Sequence, residues 1–191
     1  MADDQDTDYV SDEESPHFDE LYPALGQLLV ASGRMELQVR CLVAWLAGSD
    51  DVGWIVFEGQ TVEWLVSTGR ALQAERMCTQ PTQKDREHLE RTAQAFMAAQ
   101  ELNGQRNFLA HGDWRSACYS EECRTRARNL PQDDRQFHVL RSRYRKAFDE
   151  RVVAVSDVEV LAQQINDLAN DIRVIRRAIG DMPWGSLRVN L

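Results

Sequence analysis

Three residues near the middle of the chain have the side chains that acid–base chemistry on a phosphodiester needs. Arg106 and Asn107 are adjacent, and His111 follows four residues after the asparagine. Histidine has the side-chain pKa closest to neutrality, so His111 could take a proton from a ribose 2′-hydroxyl or give one to a leaving oxygen. The guanidinium of Arg106 could hold two phosphate oxygens and stabilise the charge that develops on phosphorus. These residue types suit metal-independent RNA cleavage, with Arg106, Asn107 and His111 as the catalytic set.

Polar side chains lead along one helical line to the histidine. Gln100, Asn103, Asn107 and His111 are spaced by three and four residues, which places them on one face of a helix. Asn107 could therefore orient the imidazole of His111 or a bound phosphate. Gln100 and Asn103 are predicted to bind substrate.

Two residues beyond this line are also predicted to bind substrate. Trp114 could stack on a base, and the alternative is that its ring packs on the helices. Arg115 begins a segment, 115–151, whose ten basic and six acidic residues could guide an RNA backbone. A solvated loop and hairpin surface is the alternative for this segment.

The heptapeptide 106–112, RNFLAHG, resembles the R-x4-6-H motif of the HEPN superfamily, in which a polar residue commonly follows the arginine. The resemblance covers the helical body, about residues 20–180, but its specific part is this heptapeptide. It implies an antiparallel helical bundle of four to five helices and a homodimer with the site at its interface. It also implies an RNA-cleaving toxin or phage-defence effector that leaves a 2′,3′-cyclic phosphate and uses no cofactor.

One position departs from a pattern within that superfamily. Toxins that a partner nucleotidyltransferase silences tend to carry a tyrosine two residues after the histidine, whereas this chain has Asp113. Regulation by adenylylation of this position is therefore not expected. An antitoxin or another regulatory protein is retained as a candidate partner.

A second hypothesis gives the same residues a structural role. With 20 Arg and four His in the chain, about one R-x4-6-H match is expected by chance. In this hypothesis Arg106 pairs with a carboxylate and His111 caps the helix end, where the helix dipole favours a cation. The domain would then be a non-catalytic module for dimerisation and for binding protein or RNA. A catalytic pair should be exposed in a groove, and a structural pair should be buried and satisfied by its neighbours.

Three long helices are predicted up to the site. The first has apolar residues at three- and four-residue steps over 25–46 and stops at the Gly-Ser-Asp sequence 48–50. The second runs over about 51–77, and its three glycines indicate either close packing against a neighbouring helix, which we favour, or an irregular helix. A break at 79–82 precedes the third helix, about 83–110, which carries the site.

A short β-hairpin and a last helix follow. Residues 136–143 and 147–155 show β-branched and aromatic residues in partial alternation, with a turn near Arg145. Ser156 and Glu159 form a predicted capping box at the start of the last helix. The apolar residues of this helix, spaced strictly by three and four, are Val158, Leu161, Ile165, Leu168, Ile172, Ile175 and Ile179. This stripe is predicted to face the core, with a dimer seam as the alternative.

The predicted organisation is one mainly α domain between two tails. Residues 1–16 are predicted to be a disordered acidic tail, 17–182 a single HEPN-like helical domain and 183–191 a C-terminal tail. A β-hairpin insertion occupies about 113–155 of the domain.

Composition excludes some classes of protein and leaves others open. The net charge is −9, but nine acidic residues lie within 1–20 and the remainder is neutral, so an anionic ligand is not excluded. The longest uncharged apolar stretch, 41–49, is too short to span a membrane. The start lacks the features of a secretory signal, so a cytoplasmic protein without a membrane partner is expected.

The cysteines are predicted to be free thiols. Four cysteines are sparse for 191 residues, and a reducing compartment would keep them reduced. Cys118 and Cys123 with His138 match zinc-ligand spacing only weakly, because a second close pair of ligands is lacking. We therefore expect neither a metal nor another cofactor.

Overall fold

A computed structural model of the chain describes residues 18–48, 55–79, 81–115, 125, 136–141 and 149–180. The helices are α1 (Phe18–Leu46), α2 (Val62–Cys78), α3 (Gln83–Ala110) and α4 (Val155–Gly180), and the strands are β1 (Asp113–Arg115), β2 (Gln136–Arg141) and β3 (Asp149–Ala154). The strands pair in the order β1-β2-β3, and both pairs are antiparallel. The prediction of a mainly α fold with a small β element before the last helix is confirmed.

Several predicted features lie outside the described residues. They are the tails 1–16 and 183–191, the hairpin turn near Arg145, most of the Arg-rich segment, and Cys118 and Cys123. Of the other two cysteines, Cys41 is buried and Cys78 is exposed, and both are free. Across the part of the chain that the structure describes, no helix combines the length and apolar character needed to cross a membrane.

The hydrophobic core joins all four helices, with α1 and α4 as its most extensive pair. Leu28 and Leu42 of α1 and Ile165 and Ile172 of α4 have no exposed surface. Each such side chain stabilises the fold by about 1.5–3 kcal/mol through burial of apolar area. The predicted core orientation of the α4 stripe is confirmed from Val158 to Ile175, and its buried residues cannot form a dimer seam.

Helices α1, α2 and α4 begin at the same end of the bundle. The ring of Phe18, at the start of α1, packs edge-on against Phe137 of β2 at 5.1 Å, beside the strand that leads into α4. At the opposite end, buried Arg76 of α2 donates from Nη2 to the carbonyl oxygen of Leu46 at 3.0 Å and so caps the C-terminus of α1. The antiparallel neighbours are therefore α2 with α3 and α3 with α4, whereas α1 runs parallel to α4.

The predicted single helix over 51–77 is wrong in its first part. Residues 55–57 form a separate helical turn, and Gly59 has a φ of +73°, a left-handed backbone conformation that ends it. Thr61 then caps α2, because its side chain accepts a hydrogen bond from the Trp64 N–H at 3.2 Å. The expected close packing at a glycine is found at Gly69, where the ring of Phe96 from α3 leaves no room for a Cβ.

Helix α3 has the predicted bounds, and the capping residues at its two ends explain where it begins and ends. Thr82 accepts a hydrogen bond from the Asp85 N–H, and the Asp85 carboxylate accepts one from the Thr82 N–H, which forms a capping box. His111 occupies the C-cap position. At Gly112 a Cβ would collide with Val139 of β2, so only glycine allows the chain to turn there from α3 into β1.

The last helix does not begin with the capping box that the sequence predicted at Ser156 and Glu159. Helix α4 begins at Val155, directly after β3, and the Asp157 carboxylate accepts a hydrogen bond from the Ala154 N–H at 3.0 Å. Asp157 thereby takes the role that the sequence pattern assigned to Glu159. The strand runs into the helix without a loop, so the N-cap is Ala154 rather than Ser156 and the helix starts two residues earlier than predicted.

The sheet is a three-stranded element rather than a two-stranded hairpin. Strands β2 and β3 were expected, but β1 pairs with β2 as well, with Trp114 opposite Val139. Phe137 and Val139 are buried, and the Trp114 ring lies 5.9 Å from the Phe137 ring. The sheet is thus anchored to the bundle at the end where α3 terminates.

Candidate functional site

The last three turns of α3 hold the predicted catalytic residues, and the N-terminus of α2 lies beside them. Asn103 is buried, Arg106 and Asn107 are partly buried, and His111 is exposed. Helices α2 and α3 are connected by only a few residues and run antiparallel, so the first turn of α2 faces the last turns of α3. This arrangement brings one further polar residue to the site.

Glu63 is the functional candidate that the sequence pattern missed. Its Oε1 atom accepts a hydrogen bond from Asn103 Nδ2 at 2.8 Å and a longer one from Asn107 Nδ2 at 3.4 Å. Hydrogen bonds to an ionised carboxylate are stronger than neutral ones, so Glu63 fixes the orientation of both amides. The antiparallel register of α2 and α3 was the clue that could have placed Glu63 opposite Asn103.

Arg106 is held by its neighbour rather than by a carboxylate. Its Nη1 donates to Asn107 Oδ1 at 2.8 Å, and no ion pair of Arg106 occurs among the described residues. Its Nε is buried and has no acceptor. An unsatisfied buried donor is costly, by about 1–3 kcal/mol. The carboxylate pairing of the structural hypothesis is not observed in this part of the chain.

His111 occupies the C-cap position of α3, and its side chain is exposed. Its backbone N–H points back to Leu109, as the C-cap position requires. No hydrogen bond or ion pair of the imidazole occurs within the described ranges. The predicted contact between Asn107 and the His111 ring is absent, because both ends of the Asn107 amide are engaged by Arg106 and Glu63. Asn107 therefore orients the arginine in this chain.

Trp114 and Arg115 are engaged within the fold. Trp114 Nε1 donates to the carbonyl oxygen of Leu109 at 2.9 Å, which satisfies one of the free carbonyls at the end of α3. The ring is partly buried against Phe137, in agreement with the packing alternative for this residue. The guanidinium of Arg115 forms an ion pair with the carboxylate of Asp113.

Gln100 lies in a groove that leads toward the site. The groove has a volume of about 520 Å³ and runs between α2 and α3, and Glu63, Arg70, Met97 and Gln100 are among its lining residues. Gln100 is exposed, whereas Asn103 is buried against Glu63. The predicted polar line therefore divides into a solvent-accessible part and a hydrogen-bonded part.

His138 is a different kind of histidine from His111. It is buried in β2, and this burial lowers its pKa, although the negative charge of Glu150 opposes the shift. His138 is therefore neutral near pH 7. Among the residues that the structure describes, no group of three His, Cys, Asp or Glu side chains could hold a metal ion.

Comparisons with models of known protein families, with curated proteins and with solved structures found no match. Membership of the HEPN superfamily therefore stays a prediction from the heptapeptide and its position at the end of a long helix.

Proposed function

We propose that the chain is a metal-independent endoribonuclease of the HEPN type, acting as a toxin or a phage-defence effector, with Arg106, Asn107 and His111 at its catalytic site. The observations that support this proposal are the exposed position of His111 at the C-cap of α3 and the guanidinium of Arg106 five residues before it, which among the described residues pairs with the Asn107 amide and with no carboxylate.

The chemistry requires two proton transfers. The imidazole of one His111 takes the proton of the ribose 2′-hydroxyl while the 2′-oxygen attacks phosphorus. The bond from phosphorus to the 5′-oxygen breaks, and a protonated imidazole gives its proton to that oxygen. The products are a 2′,3′-cyclic phosphate and a 5′-hydroxyl end, so atoms and charges balance without a co-reactant.

Arg106 supports this reaction through its charge and its geometry. With Nη1 fixed on Asn107 and Nε buried, the N–H groups of Nη2 are the ones that would bind the non-bridging oxygens of the phosphate. Charge on these oxygens grows in the transition state, and an oriented guanidinium stabilises it without further reorganisation.

The stoichiometry of protons favours a homodimer. One chain supplies one His111, and the other histidines of the described residues do not serve: His138 is buried in the sheet, and His88 lies about six turns of α3 away from His111. A second copy related by a two-fold axis would bring the second His111. RNA is the proposed substrate.

The alternative is a non-catalytic HEPN-like module for dimerisation and for binding protein or RNA. This alternative is supported by the hydrogen bonds that Asn103 and Asn107 donate to Glu63, because such bonds between α3 and α2 are also typical of a structural network. In that case Arg106 and His111 would have no role in turnover.

The deciding experiment is cleavage of a mixed RNA pool in EDTA by the wild type and by the Arg106→Ala and His111→Ala variants. We expect each substitution to lower the rate by about 10²–10⁴-fold, the usual size of an acid–base or charge-stabilising contribution. Arg91→Ala, an exposed arginine on the same helix, is the matched control and should keep full activity. Circular dichroism should show that all variants are folded.

Cyclic-phosphate ends on the fragments would identify the reaction type. Equal rates for the wild type and both site variants, or no cleavage by any of them across several RNA classes, would favour the binding module instead.

A further inference from the structure

The outer face of α1 exposes a row of large apolar side chains. Tyr22, Leu29, Val30 and Leu37 keep 61%, 49%, 58% and 38% of their surface. At 100° per residue they fall within an arc of about 100°, and they extend over about 22 Å of helix. A continuous apolar row of this kind on a bundle surface is typical of a contact with another protein.

Two glycines on the same face have no packing partner among the residues that the structure describes. Gly26 and Gly33 are exposed, one heptad apart, and a Cβ at either would meet no atom within 4 Å. A glycine inside a helix is destabilising by about 1 kcal/mol relative to alanine. Gly69, by contrast, is required by the ring of Phe96. Gly26 and Gly33 would be useful if a backbone approached α1 closely from outside.

The row is self-complementary about the middle of the helix. When a second copy of α1 is laid antiparallel with residues 29 and 30 at the two-fold axis, Gly26 faces Gly33 and Tyr22 faces Leu37. Leu29 then packs beside Val30 of the other copy. A two-fold contact requires this reciprocity, because residue i must meet residue j while j meets i.

The charges at the ends of the row select the antiparallel direction. Asp19 lies at the N-terminal end of the face and Arg40 at the C-terminal end, so the antiparallel arrangement places opposite charges together. A parallel arrangement would place Asp19 against Asp19 and Arg40 against Arg40, which is repulsive. Arg40 also has a buried Nε without an acceptor, although its Nη2 pairs with Glu36 at 3.0 Å.

We propose that the outer face of α1 binds the same face of a second copy of this chain in an antiparallel, two-fold contact. This contact goes beyond the proposed function and does not depend on it. The site lies at the end of the bundle where α1 begins, because Phe18 and Trp114 both pack on Phe137. An antiparallel pair of α1 helices places the two sites at opposite ends, so this contact is separate from any that joins two His111 side chains.

Disulfide trapping tests the geometry in the full chain. A mixture of Tyr22→Cys and size-tagged Leu37→Cys proteins should form a disulfide-linked heterodimer under mild oxidation, well above the background of the wild-type cysteines. Each variant by itself should stay at that background. Failure of the mixture to cross-link, or an equally strong homodimer of Tyr22→Cys, would overturn the proposal.

A measurement of mass in solution tests the contact without new cysteines. Leu29→Glu places two carboxylates next to the two-fold axis, and we expect it to halve the light-scattering mass relative to the wild type, whose chain mass is 21.9 kDa. Val174→Glu is the matched control, since Val174 of α4 is an equally exposed apolar residue outside the row. An unchanged mass for the folded Leu29→Glu protein, or the same loss for the control, would refute the contact.

Discussion

At the scale of single residues, Glu63 decides how the site is arranged. Its carboxylate accepts from Asn103 and Asn107, and Asn107 in turn accepts from Arg106. The hydrogen bonds between Glu63 and Asn107 and between Asn107 and Arg106 connect α2 to the arginine, and the first link is the one between Glu63 and Asn107. Removing the first link would leave the Asn107 amide free to rotate and would loosen the arginine without touching it.

We expect Glu63→Ala to lower RNA cleavage by about 10-fold, since catalysis depends steeply on the placement of charged groups. Glu63→Gln should keep most of the activity, because the Gln carbonyl oxygen still accepts from the asparagine amides. Rates measured in single turnover, at a temperature where both variants are folded, test this prediction. Glu75→Ala, an exposed position on the same helix, is the control.

The two Glu63 substitutions also separate positioning from proton transfer. If Glu63 acted by its charge or as an acid or base, Glu63→Gln would be as inactive as Glu63→Ala, and the positioning role would be wrong.

At the scale of elements, the α2–α3 pair sets the distance between Glu63 and the asparagines. The two helices pack closely at Gly69, where the Phe96 ring occupies the space of a Cβ. Phe96 is completely buried, so its ring has little freedom to move away. A side chain at position 69 would push the helices apart and displace Glu63 from α3.

We expect Gly69→Ala to lower the free energy of unfolding by about 1–3 kcal/mol through overpacking. The gain in helix propensity, about 1 kcal/mol at most, does not offset the collision. Gly104→Ala on α3 should stabilise the chain instead, because a Cβ there meets no atom within 4 Å. Urea unfolding of both variants measures the difference, and equal effects of the two substitutions would contradict the close packing.

At the scale of the whole molecule, the number of histidines per site determines how many chains take part in one cleavage event. A site that needs two imidazoles is complete only when both chains of a dimer carry His111. If the site works within one chain, its activity does not depend on whether the other chain carries His111.

Mixing wild-type and His111→Ala chains in equal amounts distinguishes these cases. After subunit exchange, about a quarter of the dimers contain two wild-type chains, so activity should fall to about one quarter of that of the same total amount of wild type. Dilution of the wild type with an inert protein to the same extent should leave about one half. A value of one half for the His111→Ala mixture would show that each chain acts by itself.

The sequence by itself determined the long helices α1, α3 and α4 and supplied Arg106, Asn107 and His111 as candidate site residues. Strict three- and four-residue spacing identifies α1 and α4 because a helix must bury one face, and the capping residues of α3 follow from local hydrogen bonding. The start of α2 was misplaced because a left-handed glycine at position 59 and a capping threonine at 61 act together, and neither alters the apolar pattern.

Only the tertiary structure decided how the site residues are used. Asn107 binds Arg106 and Glu63 rather than His111, because the antiparallel packing of α2 on α3 brings a carboxylate from more than 40 residues earlier in the chain. Trp114 is engaged by Leu109 and Phe137 for a similar reason, since β1 pairs with a strand that follows later in the sequence. Such contacts depend on which faces of separate elements meet, and local residue spacing carries no information on that.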